Sequence, residues 1–246
     1  AGKGCVVGTT MLITDKVCPN HVGVDIGCGI AGYKIDKRYF KFDTEKLKEL
    51  DEIIRKYIPS GMSINSRKSK LIPNDYEINL RASIDKKSMD RAYLSLGTLG
   101  GGNHFIEVGE NKDCYILFVH SGSRNLGVQV ANYHQNIAIT TCNKERVEYI
   151  HDIIKNIPPA EREEVMEKYK KENPNIPNPS CYLKNNYLED YLFDMEIMEK
   201  FACLNREIII KTILEKLDIP YLKGNYIEST HNYIENYKGL HILRKG

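Results

Sequence analysis

The chain has 246 residues, of which 41% are hydrophobic, so it can bury a core as one or two domains. Its 35 Lys and Arg residues nearly balance 33 Asp and Glu residues, and any polyanion must therefore bind a local patch. An odd number of cysteines without a CxxC pair argues against a disulfide scaffold and favours a reducing cytoplasm. The sequence has no apolar run of about 20 residues, and its start does not resemble a leader peptide. We therefore expect neither membrane insertion nor secretion.

The first third of the chain predicts a sheet followed by a helix. The chain begins at Ala1 without Met and enters a strand-like stretch directly, so we expect residues to be missing before it. Short β-branched runs punctuated by glycine over residues 5–37 predict strands joined by tight turns. Residues 43–57 have helical apolar spacing, with Asp43 or Thr44 as the N-cap. Residues 59–87 lack periodicity, and we assign them no regular structure.

The remainder mixes strands and helices. Residues 103–108 and 115–120 are separated by the turn-prone GENKD and predict a hairpin, after which a helical region follows. Residues 187–217 predict a long helix. Its core-facing residues are Leu188, Leu192, Met195, Met198, Ala202 and Ile209. Because strands and helices do not alternate strictly, we predict an α+β fold, with a mixed β-sheet core and surrounding helices in one domain over residues 1–246.

Asp25 and Cys28 lie three residues apart in a glycine-rich segment, where a tight backbone can fold around a small ligand. A carboxylate oxygen and a thiolate could share one divalent ion such as Zn²⁺ or Mn²⁺. The alternative is a glycine turn with a half-buried cysteine and an aspartate that caps backbone amides. The segment alone leaves both interpretations open.

A second concentration of polar groups follows the glycine cluster at residues 97–102, whose amides could bind an anion. Strand alternation separates Asn103, Phe105 and Glu107 from His104 and Ile106. One face could therefore hold a metal while the other contacts a ligand. A hydrogen-bonded core histidine remains the alternative for His104.

A third concentration is His120-Ser121-Gly122-Ser123-Arg124, where a predicted strand ends before a helix. Helix-start amides, the Ser121 and Ser123 hydroxyls and the Arg124 guanidinium would all favour a phosphate. The alternative is a serine-capped helix with a solvated arginine.

The fourth concentration is residues 228–232, which contain His231 and Asn232 but carry little information alone. No short-spaced zinc motif, Walker loop or Rossmann fingerprint is present in the sequence. We predict structural roles for the other histidines and cysteines. These are His21, His134, His151, His241, Cys5, Cys18, Cys114, Cys142, Cys181 and Cys203.

Four segments, VGVDIGCG, LGGGNHFIEV, VHSGSRNLG and STHNYIE, resemble in this order the motifs of the RtcB family of RNA-splicing ligases. The similarity runs from Ala1 to Gly246, so it covers nearly the whole chain. It implies an RtcB-like fold that is incomplete at both termini.

The resemblance implies a centre of two Mn²⁺ ions bridged by the Cys28 thiolate. Asp25 and His104 would complete one site, and His120 and His231 would complete the other. Affinity alone would admit Zn²⁺ at least as readily, so manganese is inherited from the family.

The resemblance also implies GTP as cofactor and RNA ends as substrates. The implied guanosine nucleotide contacts are Asn103, His104, Phe105, Ile106, Glu107, His231 and Asn232. Arg124 would meet an RNA phosphate.

Family members link GMP to a histidine, transfer it to an RNA 3′-phosphate derived from a 2′,3′-cyclic end, and let a 5′-hydroxyl displace it. That nucleophilic histidine is expected beyond Gly246. Two alternatives remain: a metal-dependent phosphoesterase or RNA-repair paralogue, and a non-catalytic module that binds metal or RNA. The sequence does not distinguish tRNA splicing from RNA repair and does not reveal the oligomeric state.

Overall fold

A computed structural model describes residues 4–246, with Glu145 and Arg146 described by their backbone alone. The strands in these residues are β1 (Thr10–Ile13), β2 (Lys16–Val17), β3 (Gly29–Asp36), β4 (Phe105–Glu110), β5 (Cys114–Ser121), β6 (Leu183–Lys184), β7 (Tyr226–Thr230), β8 (Asn232–Tyr237) and β9 (Leu240–Lys245). The α-helices are α1 (Pro19–Val22), α2 (Thr44–Tyr57), α3 (Lys86–Ser95), α4 (Arg124–Ile154), α5 (Arg162–Glu172) and α6 (Asn185–Lys216).

The largest sheet has four antiparallel strands in the order β4-β5-β3-β7. In its register, Gly29 at the start of β3 lies between Ser121 at the end of β5 and Thr230 at the end of β7. Phe105 at the start of β4 pairs with His120. One edge of the sheet therefore gathers chain segments that lie far apart in the sequence.

Two smaller antiparallel sheets complete the strands. β1, β9 and β8 form one of them, and the short strands β2 and β6 form the other. His231 alone separates β7 from β8, so the chain passes directly from the large sheet to the three-stranded one. His231 therefore lies at the junction of the large sheet and the three-stranded sheet.

Helix α6 packs between the two hydrophobic clusters of the protein. Met195 and Met198 in its first half and Phe201 at its middle belong to one cluster, whereas Ile209 and Ile213 in its second half belong to the cluster under the large sheet. All five side chains are buried. A helix that is apolar on several sides is expected to be buried in this way. The second half of α6 therefore packs beneath the large sheet.

The structure confirms the α+β class, but the strands of residues 4–246 pair only antiparallel, so the predicted mixed sheet is wrong. The hairpin is confirmed as β4 and β5, and the long helix as α6, with Leu192 only partly buried among its predicted core residues. Helix α2 begins after Asp43, whose carboxylate accepts a hydrogen bond from the Lys46 amide at 2.9 Å.

The glycine-rich start differs from the sequence prediction, because it contains the short helix α1, which Pro19 begins, as well as strands. The segment predicted to lack regular structure does lack it until Asp85, apart from an isolated bridge at Ser60. Helix α3 then begins after Asp85, whose carboxylate accepts from the Ser88 amide. In the described part of the chain, no helix is both long and apolar enough to cross a membrane.

The long-range link between α6 and the segment before α3 depends on one buried carboxylate. Asp194 accepts hydrogen bonds from the amides of Arg81 at 2.6 Å and Ala82 at 2.8 Å and from His134 Nε2 at 2.8 Å. Asp194 is completely buried and His134 nearly so. Removal of this acceptor would leave three buried donors without a partner.

We predict that Asp194→Ala lowers the free energy of unfolding by about 3–5 kcal/mol, because three hydrogen-bond donors lose their acceptor and each unsatisfied buried donor costs about 1–3 kcal/mol. Urea unfolding at neutral pH measures this change. The control is Asp190→Ala on the same helix, whose carboxylate is half-exposed and 4.0 Å from Arg81; it should change stability by less than about 0.5 kcal/mol. Equal effects of the two substitutions would contradict the prediction.

Candidate metal centre

The sheet edge collects the five side chains predicted as metal ligands. Asp25 and Cys28 lie in the loop between α1 and β3, and His104 directly precedes β4. His120 is the second-last residue of β5, and His231 lies between β7 and β8. Because antiparallel pairing aligns these strand ends, residues more than 200 positions apart in the chain meet here.

The five side chains form two overlapping trios. One contains Cys28, His120 and His231, the other contains Asp25, Cys28 and His104, and within each the ligand atoms lie within 4.8 Å of one another. Cys28 Sγ is 3.3 Å from His120 Nε2 and 3.6 Å from His104 Nε2. The thiol therefore belongs to both trios.

Backbone carbonyls orient two of the imidazoles. His104 Nδ1 is 2.9 Å from the Leu99 carbonyl oxygen, and His120 Nδ1 is 3.0 Å from that of Asn103. A carbonyl only accepts hydrogen bonds, so each Nδ1 carries the proton and each neutral ring presents an Nε2 lone pair. Both lone pairs point at the Cys28 sulfur and its neighbours, which is how metal-binding histidines are usually held.

Asp25 supplies the oxygen of the second trio. Its Oδ2 is 3.0 Å from His104 Nε2. Gly122 permits this placement, because a methyl group at residue 122 would lie 2.1 Å from Asp25 Oδ1. Burial disfavours the carboxylate, but hydrogen bonds from His104 and Cys28 outweigh it and keep the pKa of Asp25 below its usual value.

Burial controls the protonation of the other ligands. It raises the pKa of the Cys28 thiol, as does the neighbouring Asp25 charge. Burial, and then His120, lowers the pKa of His231 to about 4, and burial also lowers the pKa of His120. Without a cation the centre consequently favours a neutral Cys28 thiol and neutral His120 and His231 imidazoles.

This donor set fits divalent metal ions. It offers a potential thiolate, a carboxylate and three imidazoles, which together suit borderline ions such as Zn²⁺ and Mn²⁺. His104 Nε2 and Asp25 Oδ2 are 3.0 Å apart, a separation that a shared proton bridges when no metal is bound. A bound cation would take the place of that proton between the same two atoms.

The predicted nucleotide contacts lie next to the trios. Asn103, Phe105 and Glu107 are exposed while His104 and Ile106 are partly buried, which is the alternation expected from the sequence. The Phe105 ring centroid is 5.2 Å from that of His120. Asn232 Nδ2 donates to the Asp25 carbonyl at 3.3 Å, and its buried Oδ1 has no partner among the described residues.

The three residues predicted to bind phosphate occupy different environments. Ser121 is fully buried and its hydroxyl donates to the Leu99 carbonyl at 2.8 Å. Ser123 is also fully buried, and its hydroxyl has no hydrogen-bond partner in the described chain. Of the three, only Arg124 lines the cavity beside the metal centre. Their phosphate roles stay predictions.

Arg124 begins α4 in a strained conformation, with a φ of 56° that non-glycine residues seldom adopt. Its Nε donates to the Thr98 hydroxyl at 3.0 Å and its Nη2 to the Gly61 carbonyl at 3.2 Å. The described residues place no carboxylate within 4.0 Å of it. Burial lowers the pKa of Arg124 because it disfavours the charged guanidinium. A bound anion beside the guanidinium would offset this cost.

A cavity of about 450 Å³ opens next to Asp25 and His104. Arg124 and Arg91 contribute cations to its wall, and Met62 and Leu126 contribute apolar surface. This combination suits a ligand with both anionic and apolar parts.

The sequence analysis missed Arg91 as well as two fully buried polar residues beneath the centre, Asn205 and Arg206. The signal for the latter pair was available, because both interrupt the apolar stripe of α6. The histidines predicted as structural, His21, His134, His151 and His241, belong to neither trio. The same holds for the cysteines other than Cys28 in the described residues.

Comparison with known proteins links this chain to one family. The chain is 25% identical over 274 residues to RNA-splicing ligase RtcB of Escherichia coli strain K12, a match that covers all of this chain and 61% of the relative. It is 24% identical over 312 residues to tRNA-splicing ligase RtcB of Pyrobaculum aerophilum, covering all of this chain and 59% of the relative. A similar protein from Thermococcus kodakarensis is 25% identical over 88% of this chain.

The chain therefore spans about 60% of the length of the first two relatives. The family model described as tRNA-splicing ligase RtcB matches residues 1–81 and 74–246, so it accounts for the whole chain. The loop of Asp25 and Cys28 and the strand ends of the three histidines all lie inside these matched ranges. This chain belongs to the RtcB family.

Proposed function

We propose that this chain provides the metal-binding part of an RNA ligase. The enzyme would join RNA ends that carry a 2′,3′-cyclic phosphate or 3′-phosphate to 5′-hydroxyl ends, using GTP and two Mn²⁺ ions. The observation that carries the proposal is the shared position of Cys28 in two trios of ligand atoms. The names of the relatives support RNA joining as the reaction class.

In this proposal Cys28, His120 and His231 hold one ion, and Asp25, Cys28 and His104 hold the other. Bound divalent ions supply charge that offsets phosphate oxygens and polarises the bonds to phosphorus. A single shared thiolate suits two neighbouring cations because its negative charge reduces their repulsion. We assign Mn²⁺ from the family resemblance, since the ligand types accept Zn²⁺ as well.

The protein groups have separate tasks. The carbonyls of Leu99 and Asn103 hold the protons of His104 and His120 on Nδ1, so that both Nε2 atoms remain free to bind. Arg124 would bind an RNA phosphate in the adjoining cavity, where the described residues give it no acidic partner. Asn103, Phe105, Glu107 and Asn232 would contact the guanosine nucleotide, together with Ile106 and the ligands His104 and His231.

The ligase proposal predicts that the full-length protein incubated with labelled GTP and Mn²⁺ retains acid-labile label, and that it seals RNA with a 3′-phosphate to RNA with a 5′-hydroxyl. The measurement is gel analysis of protein and RNA in the same reaction. Cyclic-phosphate opening without a protein adduct would instead indicate a phosphoesterase. Sealing that survives Cys28→Ala would contradict a catalytic metal centre.

Because Cys28 is shared, we predict that Cys28→Ser weakens both bound cations by more than about 100-fold, whereas His231→Ala weakens only one. Isothermal titration with Mn²⁺ measures both affinities. The matched control is Cys114→Ser, at the opposite end of the strand that carries His120; it should leave both affinities unchanged. Retention of two full-affinity ions by Cys28→Ser would refute the shared ligand.

Metal binding should release a proton from Cys28, because burial keeps the free thiol protonated at neutral pH. Between pH 6 and 8 we predict that affinity rises about tenfold per pH unit and that about one proton is released by this thiol. His231, with a pKa of about 4, is already neutral there and adds no proton. Calorimetry in buffers of different ionisation enthalpy measures the proton count, and a pH-independent affinity would contradict this account.

A further inference from the structure

Helix α6 places two fully buried polar side chains directly below the metal centre. Asn205 and Arg206 are both 0% exposed, although each stands in a helix whose buried residues are otherwise mostly apolar. Burial of a guanidinium and an amide carries a large desolvation cost unless every polar atom finds a partner. The partners of the two residues therefore indicate what they hold in place.

Arg206 bonds to the chain segments that carry all three ligands of one trio. Its Nη1 donates to the carbonyl oxygens of Gly27 at 2.8 Å and Ser121 at 2.6 Å. Gly27 precedes Cys28, and Ser121 follows His120. The same guanidinium forms an ion pair with Glu228, three residues before His231.

Glu228 completes this connection within strand β7. It lies opposite Ala31 in the register, two residue pairs from the Gly29–Thr230 pair at the end of the sheet. The planar guanidinium thus ties the Cys28 loop, the end of β5 and β7 to a single rigid group. No other described side chain donates to both the Gly27 and the Ser121 carbonyls.

Asn205 bonds instead to the loop that orients His104. Its Oδ1 accepts from the amides of Gly97 at 2.8 Å and Thr98 at 3.2 Å, and its Nδ2 donates to the Thr98 carbonyl at 3.1 Å. The next residue, Leu99, supplies the carbonyl that accepts from His104 Nδ1. Asn205 thereby fixes the backbone that holds this imidazole.

Asn205 also reaches the same carbonyl by a second route. Its Nδ2 donates to the Ser121 hydroxyl at 3.0 Å, and that hydroxyl donates to the Leu99 carbonyl at 2.8 Å. One chain of hydrogen bonds from this amide consequently ends at the carbonyl that accepts from His104, and direct bonds hold the residue before that carbonyl. His104 and Asp25 are the ligands that the second trio does not share with the first.

From these contacts we propose that Arg206 and Asn205 are positioning residues with different reach: Arg206 acts on both cation positions through the shared Cys28, whereas Asn205 acts on one of them. Arg206 sets the geometry of Cys28, His120 and His231, and Asn205 sets that of His104 in the trio with Asp25 and Cys28. The inference rests on the metal centre of the proposed function, although it requires neither GTP nor RNA. Loss of an orienting partner of this kind usually weakens a metal site by about 10–100-fold.

The test is titration of the full-length protein with Co²⁺, followed by its visible and thiolate charge-transfer absorption. His231→Ala leaves only the Asp25 trio intact, and Asp25→Ala leaves only the His231 trio intact. In the His231→Ala protein, both Asn205→Asp, through His104, and Arg206→Lys, through the shared Cys28, should weaken the remaining ion about 10–100-fold. In the Asp25→Ala protein, Arg206→Lys should weaken the remaining ion by about as much, whereas Asn205→Asp should not.

Arg206→Lys retains the charge but loses the planar fork, and Asn205→Asp retains the acceptor for the Gly97 and Thr98 amides. Matched controls are Arg55→Lys on the exposed face of α2 and Asn143→Asp, an asparagine that pairs with the Ile176 backbone far from the centre. Neither control should alter Co²⁺ affinity or spectra. Thermal unfolding of each protein measures its overall stability independently.

Equal weakening of both ions by Asn205→Asp, in proportion to lost thermal stability, would overturn the different positioning roles. Unchanged affinities and spectra in both single-site backgrounds would overturn them too. If the unsubstituted protein bound no Co²⁺, Zn²⁺ or Mn²⁺, the metal centre itself would fail and the positioning roles with it. Failure of GTP labelling alone, with selective Co²⁺ effects retained, would count only against the ligase proposal.

Discussion

The centre depends on lone pairs that converge on one sulfur atom. Leu99 and Asn103 carbonyls fix the protons of His104 and His120 on Nδ1, so both Nε2 atoms turn toward Cys28 within 3.6 Å. Such an assembly of acceptors is unfavourable in a buried place unless protons or cations lie between them. The surrounding fold therefore has to hold these groups against their own repulsion, and the buried network under the sheet supplies the restraint.

Helix α6 is central to that restraint. Its apolar residues belong to both hydrophobic clusters. Its buried Asn205 and Arg206 bond to the backbone segments that carry the predicted metal ligands. Long helices are rigid over several turns, so loops bonded to neighbouring residues of one helix keep a fixed mutual distance. Asp194 ties the same helix to the segment before α3. Helix α6 thus holds the loops of the centre in place, although glycines make the loop backbone itself conformationally free.

Much of the framework was predictable from local patterns. The α2 cap at Asp43, the hairpin of β4 and β5 and the apolar periodicity of α6 each follow from neighbouring residues. The short helix α1 was missed because Pro19 reads equally well as a turn residue. Residue types alone suggested a metal at Asp25 and Cys28. Their proximity to His231 depends on the strand order of the sheet, which local patterns do not give. Only the family resemblance predicted that all five side chains belong to one site.

The antiparallel register has one further consequence. Gly29 faces Ser121 on one side and Thr230 on the other, so His120 and His231 reach Cys28 only when β5 and β7 both pair correctly with β3. A slip of either strand by one residue would turn its side chains to the opposite face of the sheet. Chains with misaligned strands would consequently lack a complete ligand set. Binding of the proposed cations would therefore stabilise correctly paired sheets over misaligned ones.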